Sequence, residues 1–320
     1  MHRREFIVGT AALAAAGLAQ AAYPERAVKL VLGFPPGTSV DLVARSWSQK
    51  LGELLGQAIV VDNRTGAGGQ IAAQAVAKSA ADGYTLLLGE VGAIAIAPAA
   101  FSKLPYDPAR DLVGLCQVVS SDFVFLVPAS LAAQTLPEYV AWAKARREKL
   151  NFATLGAGSP VHFGGELFAH AAGFPVESVH FRNAGDAVAA LAGGDVHGGF
   201  ASTAVAKSLV ATGRIRALAT TTGQRTPLFR QLPTFGEGGF PQVAFTSWFA
   251  LFAPAGTPEP VRASLSRAAL AALAVPEVQA KLQDVGFTIV AADAAQTQKM
   301  VKSETERWAQ VVKASGFKGD

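Results

Sequence analysis

The feature that most constrains the fold of this chain is a repeated order of strand, glycine-rich loop and helix. Residues 28–34 form an apolar strand pattern, residues 35–41 a loop with two prolines and a glycine, and residues 42–55 a helical pattern. The next strand, turn, helix and strand patterns occupy residues 58–62, 65–69, 71–80 and 84–88. Strands that alternate with helices favour a mostly parallel sheet with helices on both faces. In such sheets, ligands bind at the carboxyl ends of the strands.

The alternation starts again at residue 122, which predicts a second lobe. Its strand, helix and loop patterns cover residues 123–127, 136–149, 151–154, 156–159, 161–172, 178–181, 184–192 and 215–219. The pattern changes again near Trp248, where residues 247–254 indicate a buried strand. The amphipathic helices predicted after it cover residues 261–273, 276–285 and 294–314.

This order predicts an α/β fold of two lobes, each a mostly parallel sheet flanked by helices. Lobe one comprises residues 22–121 and 249–320, and lobe two comprises residues 122–248. Two lobes suit a chain of this length, because single hydrophobic cores stop growing at about 250–300 residues. The chain then crosses between the lobes twice, near residues 120–122 and 246–248, and two crossing strands make a hinge on which lobes can close.

The N-terminal segment has the layout of an export signal. Arg3, Arg4 and Glu5 precede an uncharged stretch that runs to Ala22 and is rich in alanine and glycine. The stretch is shorter than the roughly 20 apolar residues of a transmembrane helix, and its small residues suit cleavage after Ala21. Residues 1–21 are therefore predicted to be a signal peptide that directs the chain to the periplasm. The paired arginines before Phe-Ile predict the twin-arginine route, with a Sec signal or a retained apolar helix as the alternatives.

Charge and cysteine content exclude several classes of partner and site. Without residues 1–21 the chain holds 26 Lys and Arg against 23 Asp and Glu, a net charge of +3. No basic run exceeds Arg146-Arg147, which argues against nucleic acid or a membrane surface as a partner. The single cysteine, Cys116, lies in an apolar run and is interpreted as a buried hydrophobic side chain. We expect a monomer without a metal or cofactor.

The loop of residues 34–41, FPPGTSVD, has the composition of an anion site. Gly37 permits close approach of the backbone, and Thr38 and Ser39 suit the cap of the helix that follows. Backbone N–H groups at a helix N-terminus point at a bound anion, and the helix dipole favours negative charge there. Taken alone, the loop is equally consistent with an ordinary capped helix.

A second loop, GAGS at residues 156–159, occupies the matching position before a helix in lobe two. Two helix N-termini that face one cleft suit a carboxylate, which accepts several N–H bonds at once. His162, in the first turn of that helix, either lines the cleft or satisfies its own lobe. The other histidines of this region, His170, His180 and His197, lack the spacing of metal ligands.

Signatures of common enzymes do not occur in the sequence. Residues 65–71, TGAGGQI, place Ile71 where the last glycine of a dinucleotide-binding GxGxxG would stand. GxSxG, HExxH, the P-loop and paired Cys-x-x-Cys are missing as well. We therefore predict a binding protein and not an enzyme. The alternative is an exported enzyme that acts on a small organic acid in the same cleft, for which only Ser159 and His162 could be nominated.

Several segments, taken in order, carry a resemblance to a known family. They include YPERAVKLVLGFPPGTSVDLVAR from Tyr23, LGQAIVVDNRTGAGGQIAAQAVAKSAADGYTLLLG from Leu55, LPYDPARDL from Leu104, KLNFATLGAGSPVHFGGELFAHAAG from Lys149, GGDVHGGF from Gly193, GRIRALATTTGQRTPLFRQLPTFGEGGFP from Gly213 and WFALFAPAGTPEPV from Trp248. In these segments the chain resembles the Bug or TctC-like family, the extracytoplasmic solute receptors of tripartite tricarboxylate transport systems. The resemblance extends over nearly the whole chain.

The resemblance implies a type II periplasmic binding fold and a site for a small organic acid between the lobes. It implies that the ligand carboxylate is held by the loop after strand one and by the glycine-serine loop of lobe two. Carried over by position, the first wall contains Phe34, Gly37, Thr38 and Ser39, and the second contains Gly158, Ser159 and His162. It also implies delivery of the acid to the membrane subunits of a transporter, or a role in sensing.

Two departures from the family pattern concern the shape of the site. Thr38 follows Gly37 where a second glycine is usual, and residues 181–184, FRNA, stand in place of a PYRG-like segment. Both changes imply a small alteration of the pocket.

A third departure concerns charge. Ala201, which is followed by Ser202, stands where an acidic residue often follows the phenylalanine of lobe two, and we include both in the predicted site. Glu90 follows strand three, where a small hydroxyl residue is common. We hypothesise that Glu90 faces the cleft and contacts an amino or hydroxyl group or narrows specificity. A solvated glutamate at the strand end is the alternative.

Overall fold

A computed structural model describes residues 23–181 and 184–319 of the chain. The predicted signal peptide of residues 1–21, its cleavage site and its twin-arginine route lie outside the described residues, as do Arg182 and Asn183 of the FRNA segment. Within the two described stretches, no helix combines the length and the apolar character that crossing a membrane requires.

One continuous sheet forms the frame of the described chain. Its strands are β1 Val28–Leu32, β2 Ile59–Asn63, β3 Thr85–Glu90, β4 Leu112–Pro128, β5 Leu150–Thr154, β6 Val176–His180, β7 Gly198–Ser202, β8 Ile215–Thr220, β9 Thr246–Pro254 and β10 Thr288–Ala292. The order across the sheet is β2-β1-β3-β9-β4-β7-β5-β6, and both β8 and β10 also pair with β4. The outer pairs, β1 with β2 and β3 and β5 with β6 and β7, are parallel.

Helices cover this sheet at nearly the predicted places. They are α1 Ser39–Leu55, α2 Gln70–Ala77, α3 Ala97–Ala100, α4 Pro108–Asp111, α5 Leu136–Lys144, α6 Pro160–Ala172, α7 Ala184–Gly193, α8 Thr203–Ala211, α9 Glu259–Leu273, α10 Pro276–Asp284 and α11 Ala294–Ser315. A π-helical turn, Gly92–Ile96, leads into α3. The helix predicted at residues 136–149 is shorter than expected and ends at Lys144, because residues 145–149 are all exposed and offer no apolar face to pack.

The centre of the sheet consists of two long strands, β4 and β9. The sequence predicted β9 nearly in full, at residues 247–254, but only the second half of β4. β4 pairs antiparallel with β9 from Leu112 opposite Pro254 to Asp122 opposite Thr246. From Phe123 onward it pairs antiparallel with β7 and β8. The sheet is therefore mixed, with parallel outer strands and an antiparallel centre. This change of partner falls where the two crossings were predicted, and the lobe bounds themselves stay a prediction.

The side chains of β4 alternate between two buried clusters, as the two-residue period of a strand requires. Phe123 and Phe125 join an aromatic cluster beneath α5 and α6, whereas Val124 and Leu126 join a cluster that includes residues of α7 and α8. A third cluster lies around Trp47 of α1, whose fully buried ring donates its Nε1–H to the carbonyl of Ala269 in α9. Each cluster places apolar helix faces against the sheet. The burial of this apolar surface is the main favourable contribution that holds the layers together.

Strand β7 and the helix α8 that follows it were absent from the sequence interpretation. β7 begins with two glycines, which have low strand propensity. The structure gives these glycines a packing reason. A Cβ at Gly198 would lie 2.7 Å from Cζ of Phe125, and one at Gly199 would lie 3.0 Å from the carbonyl oxygen of Ala153. The strand forms where its neighbours leave no room for a side chain.

The last helix, α11, belongs to predicted lobe one and packs against predicted lobe two. The Trp308 ring lies 6.4 Å from the Phe163 ring and 6.1 Å from the Phe245 ring. After α11 the chain turns at Gly316, and Gly319 forms an isolated parallel bridge with Phe101. The C-terminal segment therefore packs at the junction between the two halves.

Candidate functional site

The first candidate wall is the loop between β1 and α1. Thr38 is the N-cap residue of α1, but its hydroxyl donates to the carbonyl of Pro35 at 2.7 Å and makes no capping bond. Ser39 is the first helical residue. Thr38 therefore occupies the N-cap position, as predicted, but its side chain does not make the capping hydrogen bond.

Asp41 closes the loop instead. Its Oδ2 accepts the backbone N–H of Gly37 at 2.9 Å and the Nε–H of Arg45 at 2.9 Å, and its Oδ1 accepts from the side-chain amide of Asn63 at 3.2 Å. The Asn63 amide also donates to the carbonyl of Phe34 at 2.9 Å. The hydrogen bond from Arg45 lowers the pKa of Asp41, and the Gly37 and Asn63 donors act in the same direction against burial. The sequence analysis named Asp41 as the end of the loop and missed this role.

This arrangement decides which backbone donors the loop leaves for an anion. The Gly37 N–H is occupied by Asp41, so it is not a free donor. Helix geometry leaves the first N–H groups of α1, from Ser39 onward, without an intrahelical acceptor. These groups lie at the positive end of the helix dipole, which favours negative charge.

Glu90 is the last residue of β3 and lies beside the first wall. It is 8 % exposed, so the alternative of a solvated strand-end glutamate is wrong. Its Oε1 accepts the backbone N–H of Ala93 at 3.1 Å. A Cβ at Gly69 would lie 3.4 Å from the Phe34 ring and 3.9 Å from Oε1 of Glu90, which places both side chains over the same glycine. Burial raises the pKa of Glu90 to about 7, while the N–H groups of Gly92 and Ala93 act in the opposite direction.

The second candidate wall is the loop between β5 and α6, and it holds itself together by local hydrogen bonds. Ser159 is the N-cap of α6; its hydroxyl accepts the N–H of His162 at 3.3 Å and donates to the carbonyl of Gly156 at 2.8 Å. The N–H of Gly158 donates to Nδ1 of His162 at 3.1 Å. Gly158 has φ +79, a conformation that favours glycine.

His162 is buried and neutral in this loop. It is 5 % exposed, and burial together with His180 lowers the pKa of its imidazole to about 4. Since Nδ1 accepts from Gly158, the proton of the neutral ring is assigned to Nε2. Ser159 and His162 are thus joined as a helix cap, and the serine hydroxyl bonds backbone atoms. This geometry does not form the nucleophile and base pair that the enzyme alternative would use.

Two aromatic side chains that the sequence analysis did not single out lie against this second wall. A Cβ at Gly158 would lie 3.1 Å from Cε2 of Phe101, and the Phe317 ring lies 5.2 Å from the His162 ring. Glu90 and Phe101 therefore flank the helical segment of residues 91–100. No local sequence signal marks either residue, because both meet the loop from distant parts of the chain.

Ala201 and Ser202 lie at the end of β7. Ala201 is paired with Val124, and its methyl group packs with the cluster under α7 and α8. Ser202 is the N-cap of α8 without a side-chain capping bond, and it is paired with Phe123 where β4 changes partner. Their part in a ligand site stays a prediction. In the described part of the chain, no three His, Cys, Asp or Glu side chains are grouped closely enough to hold a metal ion.

The chain is similar to known proteins over nearly its whole length. The family model described as "Tripartite tricarboxylate transporter family receptor" matches residues 43–317. Protein BugT of Bordetella pertussis is 36% identical over 312 residues, which cover 97% of this chain and 95% of that protein.

Solved structures with similar folds include proteins with bound acids. Rpa4515 of R. palustris, solved with adipate, is 33% identical with a TM-score of 0.83, and the match covers 92% of this chain and 99% of that one. MatC from Rhodopseudomonas palustris with bound malate is 31% identical with a TM-score of 0.80, covering 91% and 100%. The periplasmic binding protein BugD is 29% identical with a TM-score of 0.81, covering 93% and 100%. The two-lobed α/β fold predicted from the sequence is confirmed by this likeness.

Proposed function

Because the chain belongs to the family of tripartite tricarboxylate transporter receptors, we propose that it is an extracytoplasmic solute-binding protein that captures a small carboxylate-bearing organic acid between its lobes. The observation that carries the proposal is the pair of strand-to-helix loops, one before α1 and one before α6, each at the N-terminus of a helix. Relatives solved with adipate and with malate support an acid as the ligand class.

In this proposal the first wall contributes backbone N–H groups. The Asp41 and Asn63 bonds fix the loop, and the N–H groups at the start of α1 receive one carboxylate. Phe34 and Glu90, which meet over Gly69, line the same side. A carboxylate held by two or three charge-assisted N–H bonds gains affinity mainly because these donors are already in place.

The second wall contributes the start of α6. Gly158 and Ser159 present the helix N-terminus, and His162 offers its Nε2–H. Ser202, at the end of β7, supplies a further hydroxyl beside Ala201. Closure of residues 122–248 onto residues 22–121 and 249–320 about the β4 and β9 crossings brings the two walls together, and the closed form is the one that membrane partners recognise.

Ligand binding is the first test. The mature protein, residues 22–320, is screened by thermal shift and calorimetry against mono-, di- and tricarboxylates, amino acids and aromatic acids. Saturation at 100 times Kd stabilises the folded state by about 2.7 kcal/mol, which shifts the melting temperature by several degrees. We expect a saturable shift with one acid class and recovery of the compound unchanged. No shift with any acid, or conversion of one, contradicts the proposal.

Ser39 provides a sharper variant for the same measurement. Proline is tolerated at the first helical position, where it removes one N–H without breaking the helix. Ser39→Pro therefore is expected to weaken acid binding by about tenfold, and Ser39→Ala, which keeps the N–H, to bind as the wild type does. Equal affinity of the two variants would exclude the Ser39 N–H as a donor to the acid.

We also propose that residues 1–21 direct export by the twin-arginine route. Replacement of both arginines by lysine, Arg3→Lys with Arg4→Lys, keeps the charge and removes the guanidinium pair. The full-length variant is expected to accumulate as an unprocessed precursor in the cytoplasm, measured by cell fractionation. Normal processing and export of the double variant would indicate a Sec signal instead.

A further inference from the structure

We propose that Glu90 makes this site select small acids that carry a protonated amine close to the carboxylate. The inference rests on the proposed function, because it names the ligand class of the same site. It begins from the position of the side chain: Glu90 ends β3, at the carboxyl edge of the parallel strands, and shares Gly69 with Phe34 of the first wall. The first wall thus holds a carboxyl group beside the place proposed for a ligand carboxylate.

Within the described chain, no side-chain cation pairs with the carboxyl group of Glu90. The ion pairs formed by residues 23–181 and 184–319 all use other carboxylates. The nearby phenol of Tyr106 donates its hydroxyl to the carbonyl of Ala93. A carboxylate that is 8 % exposed and unpaired is costly, and a second carboxylate brought by the ligand adds repulsion. An ammonium group on the ligand removes both costs.

The surrounding backbone holds the carboxyl group in place before any ligand arrives. Oε1 accepts from Ala93, and a Cβ at Gly92 would lie 2.5 Å from this oxygen. Glycine at position 92 therefore leaves the space that the carboxyl group fills. A purely structural cap of the following helical turn needs only an acceptor oxygen, which a glutamine also provides. Selection of a ligand ammonium group requires the negative charge as well, so the charge distinguishes a role in selection from a role in capping.

The test compares ligands that differ only at one carbon. Succinate, malate and aspartate carry hydrogen, hydroxyl and ammonium, respectively, on the same carbon skeleton. Two further series extend the comparison to other lengths: propionate, lactate and alanine form the shorter one. Glutarate, 2-hydroxyglutarate and glutamate form the longer one. We expect calorimetry at pH 7.5 to give the amino member of the binding series a Kd about tenfold or more below that of the unsubstituted acid, with the hydroxy acid between them. Equal affinities, or a preference for the hydroxy acid over the amino acid, would overturn the inference.

Glu90→Gln then assigns the selectivity to this side chain. The amide oxygen still accepts from Ala93, so the fold is retained while the charge is lost. The variant is expected to bind the amino and unsubstituted acids with similar Kd values. Glu166→Gln is the matched control, since Glu166 is a half-buried carboxyl that accepts from Ser178 outside both walls and its loss leaves the wild-type ratio unchanged.

The outcomes separate this inference from the proposed function. If no acid of any series binds, the proposed function itself is wrong. If acids bind but Glu90→Gln keeps the wild-type ratio of Kd values, only the role of Glu90 is wrong.

Discussion

At the scale of the residue, the first loop depends on one carboxylate. Asp41 is 2 % exposed and accepts from the Gly37 backbone, from Arg45 and from Asn63. The Arg45 side chain is 56% exposed, so the ion pair itself adds little to stability in water. The larger effect is that Asp41 satisfies donors of a loop that would otherwise be free to move.

Removing this acceptor is expected to destabilise the protein. Asp41→Ala leaves the Gly37 N–H without its acceptor and removes one of the two acceptors of the Asn63 amide, and we expect the free energy of unfolding in urea to fall by about 1–3 kcal/mol at pH 7. Glu277→Ala, which breaks the exposed pair with Lys281, is the control and is expected to change it by less than about 0.5 kcal/mol. Equal effects would contradict the role of Asp41.

The same residue predicts a dependence on pH. Because the pKa of Asp41 is lowered in the folded state, its contribution is present above the unfolded value near 3.9 and is lost as pH falls through the folded value. The difference in the free energy of unfolding in urea between the wild type and Asp41→Ala is therefore expected to narrow in acid.

At the scale of the element, the position of α6 depends on a glycine that admits an aromatic ring. A Cβ at Gly164 would overlap the ring of Phe245, which lies in the segment just before β9 and is 1 % exposed. The helix that carries Ser159 and His162 thereby lies close against the chain that leads into the second crossing. Propensity alone would favour alanine at this helical position.

Gly164→Ala is consequently expected to destabilise the fold despite its better helix propensity. Overpacking of a filled interior costs about 1–3 kcal/mol, which exceeds the gain of about 1 kcal/mol from propensity. The matched control is Gly223→Ala, because nothing lies within 4 Å of a Cβ at that position. Thermal unfolding of both variants decides the matter: a melting temperature of Gly164→Ala at or above that of the control would refute the close packing.

At the scale of the whole molecule, the two halves are joined through β4 and β9, and a buried carboxyl lies at the point of crossing. Asp122 is 8 % exposed and stands opposite Thr246, one residue before β4 changes partner. Burial raises the pKa of Asp122 to about 6. Between the unfolded value near 3.9 and this folded value, the folded state holds more protons, so stability falls as pH rises across that window.

Asp122→Asn is expected to remove this loss of stability at higher pH, because an asparagine carries no titratable carboxyl group. A pKa of about 6 in the folded state against about 3.9 in the unfolded state corresponds to at most about 3 kcal/mol. We therefore expect the free energy of unfolding of the variant, relative to that of the wild type, to rise by about 1–3 kcal/mol when the pH is raised from 4 to 8. Urea unfolding at both pH values measures the gain, and Asp195→Asn, at an exposed carboxyl, is expected to show none. A gain that does not depend on pH would mean that burial of the charge is not the cause.

Local sequence patterns were enough to predict many of the helices and strands and the positions of the two loops. Apolar periodicity and turn residues act between neighbours in the chain, which is why the prediction placed α6, α9, α10 and α11 within two residues of their observed ends. The same local chemistry located the loop before α1 and the Ser159 cap of α6. The restart of the pattern at residue 122 and the length of the chain supplied the expectation of two lobes, and the resemblance to a family added the type II periplasmic binding fold.

Contacts between distant segments determine which side chains surround these loops and how the loops are held in place. Asn63 reaches Phe34 across 29 residues, Phe101 lies on Gly158, and Phe317 lies on His162, and no local pattern encodes such meetings. The full length of β4 and the strand β7 likewise form because partners in the sheet satisfy their backbone groups and fit their glycines. Local interactions choose the element, whereas packing between distant segments chooses its neighbours, because burial rewards whichever surfaces fit together in three dimensions.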